Sequence, residues 1–160
     1  DTFARSNIQL DAKKSYTLFL SGSVGDVKPI LTEDDPSTTT PDKVKLRLAN
    51  LGTTVTNVDV TIQLEDLITD PQPKPEVQVF TNVAPVSISG YITAAVPTSK
   101  GNAIPRKHTI RVYETGTQNV IAQATGVDLR GTTTNTIIIN GIKDGTPALA
   151  LRSNIEWLDW

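Results

Sequence analysis

A chain of 160 residues with 38% apolar residues, 5% aromatics and no cysteine is long enough to build one core, and it excludes disulfide frameworks, thiolate zinc sites and thiol catalysis. Fifteen Lys and Arg against 17 Asp and Glu give a net charge of −2, without the basic excess of a phosphate-tracking protein, so nucleic acid is not an expected partner. No stretch approaches the roughly 18 consecutive apolar residues of a spanning helix, and a leader or lipid-anchor segment removed upstream of Asp1 would leave no trace in a chain without Met.

Residues 15–22 and 27–32 read as the first two strands. Asp34-Asp35-Pro36-Ser37-Thr38-Thr39-Thr40-Pro41-Asp42 is polar and contains two prolines, the composition of a linker. Alternation then becomes strict. In Lys43-Val44-Lys45-Leu46-Arg47-Leu48 every second residue is apolar and the others are cationic. Val58, Val60, Ile62 and Leu64 alternate in the same way with Asp59, Thr61, Gln63 and Glu65. Period two puts each apolar set on one face of a strand, so both strands are predicted to have one dry and one wet face. Lys43, Lys45 and Arg47 are expected to be solvated and to pair with outward acids across strands.

Asp70-Pro71-Gln72-Pro73-Lys74-Pro75-Glu76 has three residues without an N–H and is predicted to be a stiff loop. The alternative is a polyproline ligand for a partner, although it would be only two turns long. Further strands are predicted over 77–83, 86–93, 108–113, 120–124, 134–140 and 148–151. Glu114-Thr115-Gly116-Thr117 and Lys143-Asp144-Gly145 read as hairpin turns. No window carries a helical stripe. Many short strands separated by turns predict an all-β sandwich or barrel.

The chain also overlays on itself. An offset of 119 carries residues 8–35 onto 127–154 without a gap, placing Leu10 on Leu129, Thr17 on Thr136, Gly22 on Gly141 and Ile30 on Leu149. Leu18-Phe19-Leu20 falls on Ile137-Ile138-Ile139. This repeat predicts closing strands of an N-terminal, partial unit over 1–35, a linker over 36–42, a complete unit over 43–154 and a tail over 155–160. A lone hairpin is marginal in water, so Tyr16, Leu18, Phe19 and Leu20 are expected to be buried, either against the following unit or against another copy of the chain.

SYTLFLSG, a following strand that runs into PILTEDDP, and then VKLRLANLGTTVTNVDVTI resemble the junction between tandem copies of domain of unknown function 4397. The resemblance rests on Arg47 to Asn50, Val58 to Val60 and Ser89-Gly90-Tyr91, and it extends over most of the chain. The chain departs from the family at the insertion around Pro71 to Pro75 and at Asn135, where the first copy has Tyr16. The resemblance implies an immunoglobulin-like antiparallel β-sandwich in a bacterial envelope or surface protein, with no known catalysis and no functional residues to carry over.

The residues themselves offer little chemistry. His108 is the only histidine and lies in phase with Ile110 and Val112, which predicts a structural role. No nucleophile elbow, P-loop or dinucleotide fingerprint occurs, so the chain is not expected to be an enzyme and no cofactor is expected. Glu33, Asp34, Asp35, Asp42 and Asp144 could supply oxygens to calcium, but they match no loop motif, and solvated turns are the plainer reading. Trp157, Trp160, Tyr91 and Tyr113 are the candidate ligand contacts, able to stack on sugar rings. The expected function is a scaffold, adhesion or interaction module at the surface or in the periplasm of a bacterium, with a protein or glycan partner. The alternatives are a carbohydrate-binding accessory domain and a fimbrial-type subunit that assembles through the strands of residues 1–35.

Overall fold

The computed structural model describes residues 7–23, 25–65, 74–96, 107–141, 143 and 150–156. Regular structure among them is entirely β: β1 (Tyr16–Ser23), β2 (Asp26–Glu33), β3 (Lys43–Asn50), β4 (Val58–Leu64), β5 (Glu76–Val83), β6 (Ser87–Ile88), β7 (Ile92–Ala95), β8 (Lys107–Glu114), β9 (Val120–Asp128), β10 (Thr134–Asn140) and β11 (Ala150–Glu156). The all-β expectation is met. β1 and β2 form a separate antiparallel hairpin. One sheet runs β11-β10-β3-β6, with β7 also paired to β3, and the other runs β5-β4-β8-β9.

The two larger sheets pack face to face as a sandwich. Val44, Leu46 and Leu48 of β3 and Ile137 and Ile139 of β10 meet Val58, Val60 and Ile62 of β4, Phe80 of β5 and Ile110 and Val112 of β8. Apart from Phe80, which a register shift in β5 brings opposite Val60, these are the apolar members of each alternation, as period two requires. The core is aliphatic because β-branched side chains fill a pleated surface well.

Three expectations fail, each for a physical reason. The stretch 86–93 is two short strands, not one: Val86 adopts φ 53° just before β6, and residues 89–91 separate β6 from β7. There the Ser89 hydroxyl accepts a hydrogen bond from the Leu48 amide at 2.8 Å, and the Ser89 amide donates to the Leu48 carbonyl at 2.8 Å. The cations of β3 do not pair with the acids of β4, since the two strands belong to different sheets. Arg111 of β8 is the cation opposite Thr61 on β4. Nor does β3 have a wet face: only Lys43 is exposed, and the rest of the strand is buried on both sides.

β3 and β10 pair in parallel, Lys45 opposite Thr134 through to Asn50 opposite Ile139. In the overlay of the chain on itself, the matched Gly22 and Gly141 both adopt positive φ, 114° and 105°, a region an L side chain rarely enters. The overlay is not free of gaps. Phe19 pairs with Ile30, whereas Ile138, its counterpart, pairs with Arg152 and not with the residue three places earlier. The connection between β10 and β11 is longer by that amount, and its Asp144 and Gly145 lie outside the described residues, as do Pro71 and Pro73.

Candidate functional site

Two polar constellations stand on opposite outer faces of the sandwich. The first surrounds Arg47, which is fully buried. Leu46 and Leu48 point into the core, so Arg47 must point away from it, and the β1–β2 hairpin lies over that side. Its guanidinium donates to Asp34 Oδ1 at 2.8 Å, Thr17 Oγ1 at 3.1 Å and Thr32 Oγ1 at 3.4 Å, all on or next to the hairpin. Nε donates to Thr136 Oγ1 of β10 at 3.0 Å. The guanidinium also lies 4.9 Å from the Tyr91 ring centre and 5.3 Å from that of Phe19, within cation–π range. Thr17 completes the set by donating to Asp34 at 2.8 Å.

Lys45 makes the second anchor. Its ammonium pairs with Asp35 Oδ2 at 2.9 Å, donates to the carbonyl of Ser37 and to Ser37 Oγ at 2.6 Å, and sits 5.8 Å from the Tyr91 ring. The strand predicted to show its cations to water instead uses them to hold the hairpin. The hydroxyl of Ser21 adds a hydrogen bond to the Leu51 carbonyl at 3.0 Å. Asp34 and Asp35, offered above as calcium ligands, are engaged by these cations, and among the described residues no group of three or more His, Asp or Glu side chains is placed to hold a metal.

The Asp35 carboxyl titrates at about 2, held down by the hydrogen bond from Lys45 and then by those from Ser37. A depressed carboxylate stabilises the fold above its unfolded pKa, and the effect is lost as pH falls through the folded value. Stability is therefore expected to drop between about pH 4 and pH 2. In Asp35→Asn that drop should be shallower, with the two proteins converging at the acid end, as read by urea unfolding at several pH values.

The second constellation is a groove of about 480 Å³ on the outer face of the β5-β4-β8 sheet. Asp59 and Thr61 of β4, Glu76 and Gln78 of β5 and Tyr113 of β8 form its floor, and Gly116 to Gln118 of the β8–β9 turn form one wall. The Tyr113 hydroxyl donates to Glu76 Oε1 at 2.6 Å, Thr61 donates to the same oxygen, and Arg111 lies 3.5 Å from Oε2. Burial alone would raise Glu76, but the bonds from Thr61 and Tyr113 and the charge of Arg111 outweigh it and leave the carboxyl below its ordinary range. Its acceptance of the phenolic proton, followed by burial, pushes Tyr113 above the usual phenol value. At neutral pH the groove thus presents an ionised Glu76, a neutral phenol and an amide. Asp59 accepts from the Asn82 amide at 2.8 Å and from Thr115 Oγ1 at 2.9 Å, which fixes the far end.

The predicted contact residues do not come together. Tyr113 lines the groove, Tyr91 lies against Lys45 and Arg47 beneath the hairpin on the other sheet, and Trp157 and Trp160 lie outside the described residues. His108 is buried at the start of β8, opposite Leu64 and Val127. Glu76, Gln78 and Asp59 were not among the sequence candidates. Their signal was the outward phase of three strands, which becomes a site only once β4 is known to lie between β5 and β8. Among the described residues no helix is long and apolar enough to cross a membrane.

No curated protein sequence matches the chain. A family model does, over residues 1–61: Domain of unknown function (DUF4397). The match takes in the hairpin, Asp34, β3 and the start of β4, and it stops short of Ser89-Gly90-Tyr91, so its reach is narrower than the resemblance over most of the chain suggested. Over residues 1–61, which hold the hairpin, Asp34 and Arg47, the sequence is thus similar to the DUF4397 family.

Proposed function

We propose that the chain is a non-catalytic β-sandwich module of a bacterial cell-surface or periplasmic protein, serving as a scaffold and interaction domain. The observation that carries this reading is the use made of the buried ionic groups. Among the described residues Arg47 and Lys45 are the most deeply buried of the Lys, Arg, Asp and Glu side chains, and both are spent on fastening the hairpin to the sandwich. Such chemistry builds a rigid platform, and loops and outer faces then remain for recognition. Fractionation of the producing bacterium, combining surface biotinylation with osmotic shock, is expected to place the protein in the surface or periplasmic pool. Co-purification with a cytoplasmic marker overturns the reading.

The groove favours a second reading, carbohydrate binding. An aromatic ring beside an ionised carboxylate and side-chain amides offers apolar contact to a sugar face together with acceptors and donors for its hydroxyls. A glycan array is the test. Binding that is lost in Tyr113→Ala supports it, and an array without binding, or binding indifferent to that change, removes it.

A further inference from the structure

The outward face of β1–β2 is apolar and open. Leu18, Leu20 and Leu31 are 46%, 60% and 36% exposed, and Leu18 lies opposite Leu31 and Leu20 opposite Pro29, so the four form one strip. The expectation that Leu18 and Leu20 are buried therefore fails within this chain. The groove across β4, β5 and β8 differs in kind, because it is built from fixed polar groups whose bonds can be followed one by one.

Asp59 and Glu76 line the groove, and no Lys, Arg or His does. The two carboxylates are not equivalent. Glu76 is saturated: Oε1 accepts from the Tyr113 and Thr61 hydroxyls, and Oε2 faces Arg111 at 3.5 Å. Arg111, opposite Thr61, is also taken up by Gln63 at 2.7 Å and Gln123 at 3.1 Å. Asp59 accepts through Oδ1 alone, from the Asn82 amide and the Thr115 hydroxyl, which hold the carboxyl in one orientation. Among the described residues its Oδ2 has no hydrogen-bond donor, and no Lys or Arg comes within ion-pair distance of it.

The hydroxyl protons of Thr61, Tyr113 and Thr115 are all spent on these carboxylates. What stays open to a ligand is chiefly acceptor: Asp59 Oδ2 and the lone pairs of the hydroxyls, with the Gln78 and Gln118 amides able to serve in either sense. An acceptor surplus around an uncompensated carboxylate matches a group with several N–H donors and a positive charge, which an ammonium supplies and a hydroxyl does not. Tyr113 lies directly opposite Asp59 in the β4–β8 ladder, so the aromatic ring and the open carboxylate are neighbours on one sheet surface. The ring offers its face to an apolar framework or to the cation itself. A volume of about 480 Å³ falls within the ~300–1,000 Å³ of small-molecule sites.

We propose that the groove takes an amino sugar with a free amino group, its ammonium paired with Asp59 and its pyranose face on Tyr113. The inference rests on the carbohydrate reading of the groove and narrows it from sugars in general to cationic ones.

The experiment titrates the 160-residue chain by calorimetry with tetramers of glucosamine, of N-acetylglucosamine and of glucose, and with tetralysine, at a mildly acidic pH where the sugar amine is protonated. The glucosamine tetramer is expected to bind at least about tenfold more tightly than each of the others. Asp59→Asn keeps an Oδ1 acceptor for Asn82 and Thr115, and should bring the glucosamine tetramer down to the affinity of its N-acetylated form. The comparison of tetramers needs no variant, so it decides the matter even if that substitution disturbs the fold. Three sugar tetramers bound alike, or a glucosamine preference that survives Asp59→Asn, overturn the proposal and leave the carbohydrate reading standing. Tetralysine bound as tightly as the glucosamine tetramer overturns it in favour of a basic peptide. Failure of every sugar to bind overturns both readings.

Discussion

Alanine in place of Asp34 is expected to lower the unfolding free energy by about 3–5 kcal/mol, the cost of leaving a buried charge without its counter-ion. The Arg47 side chain has no exposure and the Asp34 side chain only 13%, so water cannot replace the carboxylate while the hairpin stays docked. Removing both charges should cost much less than removing one. Asp34→Asn with Arg47→Met is therefore expected to recover most of the loss, and a double-mutant cycle in urea, followed by far-ultraviolet circular dichroism, reads the coupling directly. Asp35→Ala serves as the contrast. Its side chain is 45% exposed and Lys45 keeps its bonds to Ser37, so the loss should stay within about 1 kcal/mol. Equal losses at positions 34 and 35 would mean that the guanidinium is hydrated in solution and that the anchor is not dry.

Ile137→Ala is expected to cost about 2–5 kcal/mol, because the side chain is wholly enclosed between the sheets and the void left behind fills only partly. Leu18→Ala, at the corresponding place in the repeat, should change the stability of the 160-residue chain by no more than about 0.5 kcal/mol. Two positions matched in sequence then differ several-fold in energetic weight, and the difference measures what each hairpin has opposite it. Thermal or urea unfolding of the two single variants is sufficient. A large loss at Leu18 would show that the outward strip is covered in solution.

The strands were legible because alternation is a local property. β10 matched residue for residue, and β1, β3, β4, β5 and β8 were placed within two residues at each end. Pairing is not local. Nothing in Lys43 to Leu48 says that the strand lies parallel to one formed some 90 residues later, or that β4, next in the chain, crosses to the other sheet. The error over Lys45 and Arg47 has the same root. Period two identifies two faces but not what covers the second one, and the cover here comes from Thr17, Phe19, Thr32 and Asp34. The groove was half visible. Tyr113 was a candidate from its ring alone, while Glu76 and Asp59 become neighbours only through the order β5-β4-β8.

The parallel pairing of β3 with β10 also sets a clock on synthesis. Arg47 meets Thr136, its partner in the ladder, 89 residues downstream. At a ribosomal pace of about 5–20 residues per second, β3 waits about 4–18 s for the neighbour that completes its edge. During that interval its Val and Leu side chains and half of its N–H groups are open to any passing chain, the usual route to aggregation. Lys45 and Arg47 charge the other side of the same strand, which makes edge-to-edge stacking costly. The side chains that end as a dry clasp between hairpin and sheet therefore begin as gatekeepers of a nascent strand.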